Sequence, residues 1–337
     1  MTIETKCPVL VTGGAGYIGS HAVWTLRDAG WPVVIVDNLS TGFRFLVPDD
    51  VPLYEGDIAD ADLIARVFAD HQIKAIMHFA GSIIVPESVS DPLKYYSNNT
   101  AKSRALLEAA VAAGLRHFIF SSTAAVYGAI DTPNVAEDSP TRPINPYGWS
   151  KLMTEQMLAD ASFAHHFNYC ALRYFNVAGA DPRARTGQST VGATHLIKVA
   201  CEAASGSRSH VEVFGTDFDT PDGTGIRDYI HVSDLAMAHV LALEALIAEP
   251  ACSLTMNCGY GRGFSVHEVL DAVDRLTNSR IERRLAPRRA GDPAALVSDP
   301  SRIRATLPWS PQFADLEQIV GHALAWERKL ANIRPEA

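Results

Sequence analysis

The chain has 337 residues, with 29 Lys+Arg against 38 Asp+Glu for a formal net charge of −9, and it is 47% apolar. This is an ordinary globular composition with room for two domains, and the acidic balance argues against nonspecific nucleic-acid binding, which needs clustered Lys and Arg. The five cysteines, Cys7, Cys170, Cys201, Cys252 and Cys258, are odd in number and lack CxxC spacing, so reduced, mostly buried thiols are expected and no metal site. Met1 to Pro8 is short and polar, and no stretch approaches the roughly 20 apolar residues that span a bilayer, so a cytoplasmic protein without a membrane partner is expected.

Along the chain, two hydrophobic periods alternate. The apolar run Val9-Leu10-Val11 predicts a strand, Ile18 to Ala29 an amphipathic helix, and Val33 to Val36 a second strand. The pattern recurs as a strand over Ala75 to Phe79, a helix around Thr100 to Ala113, a strand over His117 to Ser121, a helix from Tyr147 to about Ala164 and a strand over Tyr169 to Tyr174. Strands alternating with helices predict βαβ crossovers, hence an α/β fold built on a doubly wound parallel sheet covered on both faces. After Asn176 the rhythm breaks into Gly/Pro/Asp/Thr-rich stretches, Gly179 to Gly192 and Gly215 to Gly225, around a helical stretch Ala193 to Ala204. A strand over Asp228 to Val232 leads into a helix Ser233 to Ala248, and Val266 to Leu276 predicts a further helix. Residues 7–176 with a returning segment of about 228–250 are therefore expected to form the larger domain, and 177–227 with 251–334 a smaller one.

Gly13-Gly14-Ala15-Gly16-Tyr17-Ile18-Gly19 follows the first strand and opens the first helix. Backbone amides at a helix N-terminus carry partial positive charge, and side chains at Gly13, Gly16 and Gly19 would keep a pyrophosphate away. A Gly-rich turn without a ligand gives the same pattern, but the second strand ends directly in Asp37, 18 residues after Gly19. A carboxylate there accepts from an adenosine ribose and repels a 2′-phosphate, which favours NAD over NADP. Asp57 and Ile58, after the next short strand, are placed either to meet the adenine or, for Asp57, to cap a helix.

Tyr147 and Lys151 are four residues apart at the start of a predicted helix, so they share one face. An exposed surface pair is the plain alternative. The chemical reading is that a phenol of pKa about 10 serves as a base near neutrality only if it is lowered by about three units. Lys151 together with an oxidised nicotinamide supplies charge enough for that. Ser121-Ser122-Thr123 ends a parallel strand at the edge where such sheets bind ligands, although an ordinary strand-to-loop turn reads the same way.

In this order, the glycine loop, the Ser/Thr strand end and Tyr-x-x-x-Lys resemble the extended short-chain dehydrogenase/reductase family. Over roughly Val9 to Trp309 further segments carry the resemblance, Val36 to Gly42, His78 to Gly81 and Pro146 to Met153, and three more resemble its UDP-glucose 4-epimerase branch: Arg173 to Gly179, Asp222 to Gly225 with Arg227 to Val232, and Ala286-Pro287-Arg288-Arg289 with Gly291-Asp292. The resemblance implies a Rossmann NAD-binding larger domain and a UDP-sugar-binding smaller one. It makes Tyr147 the base, Lys151 its electrostatic partner and nicotinamide-ribose ligand, and Thr123 the hydroxyl near the sugar 4-oxygen. It implies cofactor contacts from Tyr17, Ile18, Asn38, Ser40, Thr41, Gly42, Phe79, Ala80, Gly81, Asn98, Ser121 and Tyr174. For the UDP-sugar it implies Asn176, His195, Leu196, Phe214, Arg227, Arg289, Asp292 and Leu296, with the arginines on the diphosphate and Asp292 on the uridine ribose. Four positions depart from the pattern: Thr123 stands in place of Ser, Ile83 in place of Lys, His195 in place of Asn and Leu296 in place of Tyr.

The activity so implied is reversible C4 epimerisation of UDP-glucose and UDP-galactose with retained NAD, by a homodimer paired through Thr100 to Ala113 and Tyr147 to Ala164. A 4,6-dehydratase would need the acid and base that such enzymes carry directly after the strand Thr, where Ala124-Ala125 stand here. A UDP-pentose 4-epimerase would use the same groups. A non-catalytic NAD sensor would need only the glycine loop and Asp37.

Overall fold

The computed structural model describes residues 6–130, 132, 134–249, 253–289 and 292–333; Met1, Cys252 and Gly291 lie outside the described residues. Its main sheet has seven parallel strands in the order Ser253–Cys258, Asn168–Tyr174, His117–Thr123, Ala75–His78, Val9–Thr12, Val33–Asp37 and Leu53–Glu55. Val9–Thr12, Val33–Asp37 and Ala75–His78 are buried at every position, which is why they read as unbroken apolar runs. Alternate residues serve opposite faces. Val9, Val11, Ile35, Met77, Ile119 and Leu172 pack with helices Tyr17–Asp28 and Val232–Ala248. Leu10, Val34, Val36, Ile76, Phe118 and Phe120 pack with helices Ala61–His71, Lys102–Ala112 and Pro146–His165.

The strand order reverses between Val9–Thr12 and Ala75–His78, which opens a crevice at their C-terminal ends. There Phe79 N and Ala80 N both donate to Thr12 O, at 2.9 and 3.1 Å, so the backbone of the two strand ends is tied at the crevice floor.

A second sheet joins Gly263–Ser265, Ile226–His231, Ala295–Ser298 and Asn134–Val135, with Asn176–Ala178 also paired to Ile226–His231. A separate ladder pairs Val211–Phe214 with Arg283–Ala286. Helix Leu316–Ile333 packs on helices Val266–Thr277 and Leu196–Ala204.

Two expected boundaries change. The strand Ile226–His231, expected to return to the main sheet, belongs to the smaller one, and Ser253–Cys258, expected in the smaller unit, is an edge strand of the main sheet. The returning segment is therefore helix Val232–Ala248 followed by Ser253–Cys258, and the helix rests on His117–Thr123 and Asn168–Tyr174. Periodicity marks a strand but not the sheet it joins, and Ser253, Thr255 and Asn257 interrupt the apolar run that would have marked this one.

Candidate active site

A single cleft of about 1790 Å³ runs from the glycine loop to the smaller sheet. At its first end, Gly13 has φ +72 and a Cβ there would lie 2.6 Å from Ala80 N; a Cβ on Gly19 would lie 2.1 Å from Gly13 O. Those two glycines let the loop fold on itself, whereas a Cβ on Gly16 would meet only Gly13 O, at 3.2 Å, and otherwise open space. Among the described residues no side chain caps helix Tyr17–Asp28, and its first turn carries no acidic residue. The first-turn amides are thus left for an anion.

The Asp37 carboxylate accepts from Ala15 N at 2.9 Å and Leu39 N at 2.8 Å. Burial pushes its pKa up while these two bonds oppose the shift, and each oxygen keeps acceptor capacity toward the cleft. These features fit a dinucleotide with an unmodified ribose. Asp57 does not cap a helix: Asp60 does, accepting from Leu63 N at 3.0 Å, and Asp57 instead pairs with Lys102 and accepts from Ala59 N. Tyr17 donates its hydroxyl to Gly179 O at 2.7 Å, so its ring ties the loop to the second half of the chain.

In the middle of the cleft, Asn145 caps helix Pro146–His165 by accepting from Gly148 N at 2.8 Å. A Cβ on Gly148 would lie 2.6 Å from Ala125 O, and this close approach sets Tyr147 against the Thr123 turn. The Thr123 hydroxyl, which accepts from Ala125 N at 3.1 Å, lies beside the Tyr147 phenol. Burial raises the Tyr147 phenol above its ordinary value, and the Thr123 contact opposes that. Lys151 is buried, donates to Ser121 O at 2.9 Å and lies 5.0 Å from the Phe120 ring centroid. Burial pushes its pKa down to about 8, and Glu155 acts in the opposite direction. In the protein alone, then, the phenol is not lowered. Ser121 and Tyr174 join hydroxyl to hydroxyl beside this group.

At the far end, Arg227 bonds Asp292, and the Arg289 guanidinium lies 3.8 Å from the Phe214 ring centroid. His195 Nδ1 meets Gln188 Nε2 at 3.0 Å, and burial lowers the imidazole pKa. Leu296 pairs with Arg227 across the sheet.

All the expected site residues line this one cleft: Gly13, Gly16 to Gly19, Asp37, Asn38, Ser40 to Gly42, Asp57, Ile58, Phe79 to Gly81, Asn98, Ser121, Thr123, Tyr147, Lys151, Tyr174, Asn176, His195, Leu196, Phe214, Arg227, Arg289, Asp292 and Leu296. Sequence reasoning missed Asn99, next to the expected Asn98. Asn99 accepts from Ser82 N at 2.7 Å and donates to Ser82 O and Ser150 Oγ, which binds the loop after Ala75–His78 to the catalytic helix. The signal lies in a π-helical turn, Tyr96–Ala101, which departs from α-helical spacing just where Asn98 and Asn99 face the cleft and the interior.

Residues 9–259 match the model of the NAD dependent epimerase/dehydratase family. The chain is 59% identical to the UDP-glucose 4-epimerase of Azospirillum brasilense over 98% of this chain and 95% of that one. Among solved structures, it is similar to UDP-glucose 4-epimerase from Brucella ovis in complex with NAD, at TM-score 0.92 and 43% identity over 95% of this chain and 98% of the other. It is also similar to the Bifidobacterium longum enzyme in complex with NAD+ and UDP, at TM-score 0.91 and 37% identity over 96% and 99%. With a parallel sheet wound about the crevice, a glycine loop shaped for a dinucleotide and Tyr147 beside Thr123, the chain belongs to the NAD dependent epimerase/dehydratase family.

Proposed function

We propose that the chain is an NAD-dependent isomerase that interconverts UDP-glucose and UDP-galactose at C4. One observation carries this reading: a single cleft joins the dinucleotide cradle, the Tyr147–Thr123 pair and the Arg227, Arg289 and Asp292 cluster. The 59% identity to a UDP-glucose 4-epimerase supports it over the full length.

The C4–H of a sugar is not acidic, so direct deprotonation does not invert that centre at a useful rate. Bound NAD supplies reversible two-electron chemistry at C4, held by Gly13, Gly16, Gly19 and Asp37 at one end and Lys151 at the other. The chain handles the protons. Tyr147 Oη takes the proton of the 4-hydroxyl and later returns it, so no net acid or base is consumed. Thr123, beside Tyr147 in the same cleft, orients the 4-oxygen, and the charge of Lys151 stabilises the phenolate. Arg227 and Arg289 hold the diphosphate and Asp292 the uridine ribose. Binding energy gathered on the UDP then leaves the hexose free to present either face, a division between remote and reacting parts of the substrate.

The same reading places the enzyme in nucleotide-sugar metabolism in the cytoplasm; among the described residues no helix is long and apolar enough to cross a membrane. It also makes the protein a homodimer paired through the helices over Thr100 to Ala113 and Tyr147 to Ala164, the second of which leaves Trp149, Met153 and Phe163 exposed.

The test is incubation of the purified protein with UDP-galactose, with separation of the two UDP-hexoses over time. Equilibration from either side without added reductant is expected. No conversion, or conversion confined to UDP-pentoses, overturns the reading.

A further inference from the structure

The catalytic lysine is buried, and its charge has a counterpart one helical turn away that the proposed reaction does not use. Glu155 lies four residues after Lys151 on helix Pro146–His165, on the same face and 7% exposed. Two strands hold its carboxylate in place. Ser122 Oγ donates to Oε1 from the strand below, and Arg173 Nε and Nη2 reach the carboxylate oxygens at 3.0 and 2.6 Å from the adjacent strand. Arg173 continues to Tyr127 Oη at 3.1 Å, and Tyr127 donates to Asn257 Oδ1 at 2.6 Å. Both members of this pair are buried, and a buried ion pair is a poor device for stability alone, since an apolar pair of equal volume commonly serves as well.

We propose that Glu155 is a positioning residue for the epimerisation, fixing Lys151 as an ammonium beside Tyr147, with Arg173 and Ser122 fixing Glu155 in turn. This rests on the reading of Tyr147 and Lys151 given above. Lys151 is otherwise poorly supplied with negative charge. Glu155, one turn along the same helix, acts on it through space without an ion-pair contact among the described residues, and Arg173 on strand Asn168–Tyr174 is paired to Glu155; His78 on strand Ala75–His78 is kept neutral by burial and by Lys151 itself, and Tyr174 is neutral. Tyr95 stacks edge-on against Tyr147 with ring centroids 6.4 Å apart and adds no charge at neutrality. The Ser121 carbonyl accepts a hydrogen bond from Lys151 Nζ whether the amine is protonated or neutral, so it does not select the charged form. Burial already drives Lys151 toward the neutral amine, and Glu155 is the group that opposes this. A neutral Lys151 would leave the Tyr147 phenol where burial puts it.

The test is the pH profile of kcat for the NAD-retaining enzyme at constant ionic strength, comparing wild type, Glu155→Gln and Glu155→Gln/Arg173→Gln. Loss of Lys151 protonation sets the alkaline limb. Removing the carboxylate while Arg173 keeps its charge is expected to move that limb down by at least about one pH unit. The double variant, which also removes the Arg173 charge that would otherwise be left without its partner, is expected to move it in the same direction by less. A purely structural role would lower thermal stability and overall rate but leave the limb in place. An alkaline limb that stays at the wild-type pH in whichever variant folds overturns the proposal. If wild type itself fails to epimerise, it is the reading of the function that falls instead.

Discussion

Four fully buried histidines make the protein acid-sensitive in a defined window. His21, His78, His231 and His239 are 2%, 1%, 0% and 0% exposed. Burial is the largest influence on each, lowering them to about 4, 3, 2 and 4 from an ordinary 6.5. Because the folded values are depressed, the unfolded chain binds more protons than the folded one between 6.5 and those values, so stability falls as pH falls through that range. At pH 5 each histidine withdraws about 2 kcal/mol, and the four together about 8 kcal/mol, a large share of the 5–15 kcal/mol typical of a folded domain. Asp37 and Asp228, whose folded values burial raises, recover part of this as they protonate. Two of the histidines also support the cleft. His78 bridges Thr12 Oγ1 at 2.7 Å and Ser103 Oγ at 2.8 Å, and His239 packs against Phe79 and Tyr174 with centroids 4.8 and 6.2 Å apart. Thermal unfolding followed at constant ionic strength from pH 7.5 to 4.5 is expected to show a midpoint that falls steeply below 6.5, with His239→Met shallower than wild type. A midpoint unchanged between pH 7 and 5 would refute the reasoning.

Tyr147→Phe keeps the ring on Tyr95 but removes the proton acceptor, so kcat is expected to fall by about 10²- to 10⁴-fold with little change in thermal midpoint; near-normal turnover would remove Tyr147 from the role of base. Acid denaturation of protein purified without added nucleotide is expected to release NAD and not NADP, because Asp37 repels a 2′-phosphate. Asp37→Asn leaves either Ala15 N or Leu39 N without its acceptor, and chromatography of the released nucleotide is expected to show less NAD per chain. Light scattering is expected to give twice the chain mass, reduced toward one chain by Trp149→Glu, whose side chain is exposed on the helix carrying Tyr147.

The parts of the molecule legible in the sequence were those in which one local rule governs. Val9–Thr12 and Val33–Asp37 are buried on both faces and so apolar up to their last residues, Thr12 and Asp37; Gly13 and Gly19 stand where any Cβ would strike backbone; Tyr147 and Lys151 share a helix face. What local patterns did not carry was partnership at long range. Glu155 reads as an ordinary helix-surface glutamate until Arg173 and Ser122 arrive on neighbouring strands. Arg227 and Asp292, 65 residues apart, were read as separate ligand contacts and are bonded to each other. A salt bridge between two expected ligand contacts means that substrate must replace one charged partner for another, a cost that falls on affinity and not on the chemistry at C4.

Substrate range turns on Leu296, where a local and a long-range feature meet. It lies on strand Ala295–Ser298 in register with Arg227 and packs on the cluster of Ala124, Val126 and Tyr127, which continue the Thr123 turn, and Val135 of the neighbouring strand. It therefore stands between the diphosphate end of the cleft and the 4-oxygen end, where the hexose ring must pass. Leucine is branched and offers no hydrogen bond to an acetamido group, so good interconversion of the plain UDP-hexoses with weak activity on UDP-N-acetylglucosamine is expected. A steric contrast of this kind is worth about 1–3 kcal/mol, a factor of about 10 to 200 in kcat/KM. Leu296→Ser should narrow the gap by opening space beside the sugar, at some expense in stability because it withdraws a side chain from that cluster. Leu296→Tyr should widen it, since the larger ring occupies the same space from the same strand position. The assay is kcat/KM for both substrate pairs in the three proteins. Equal values for the two pairs in wild type, or no response to either substitution, would show that the hexose is gated from another wall of the cleft.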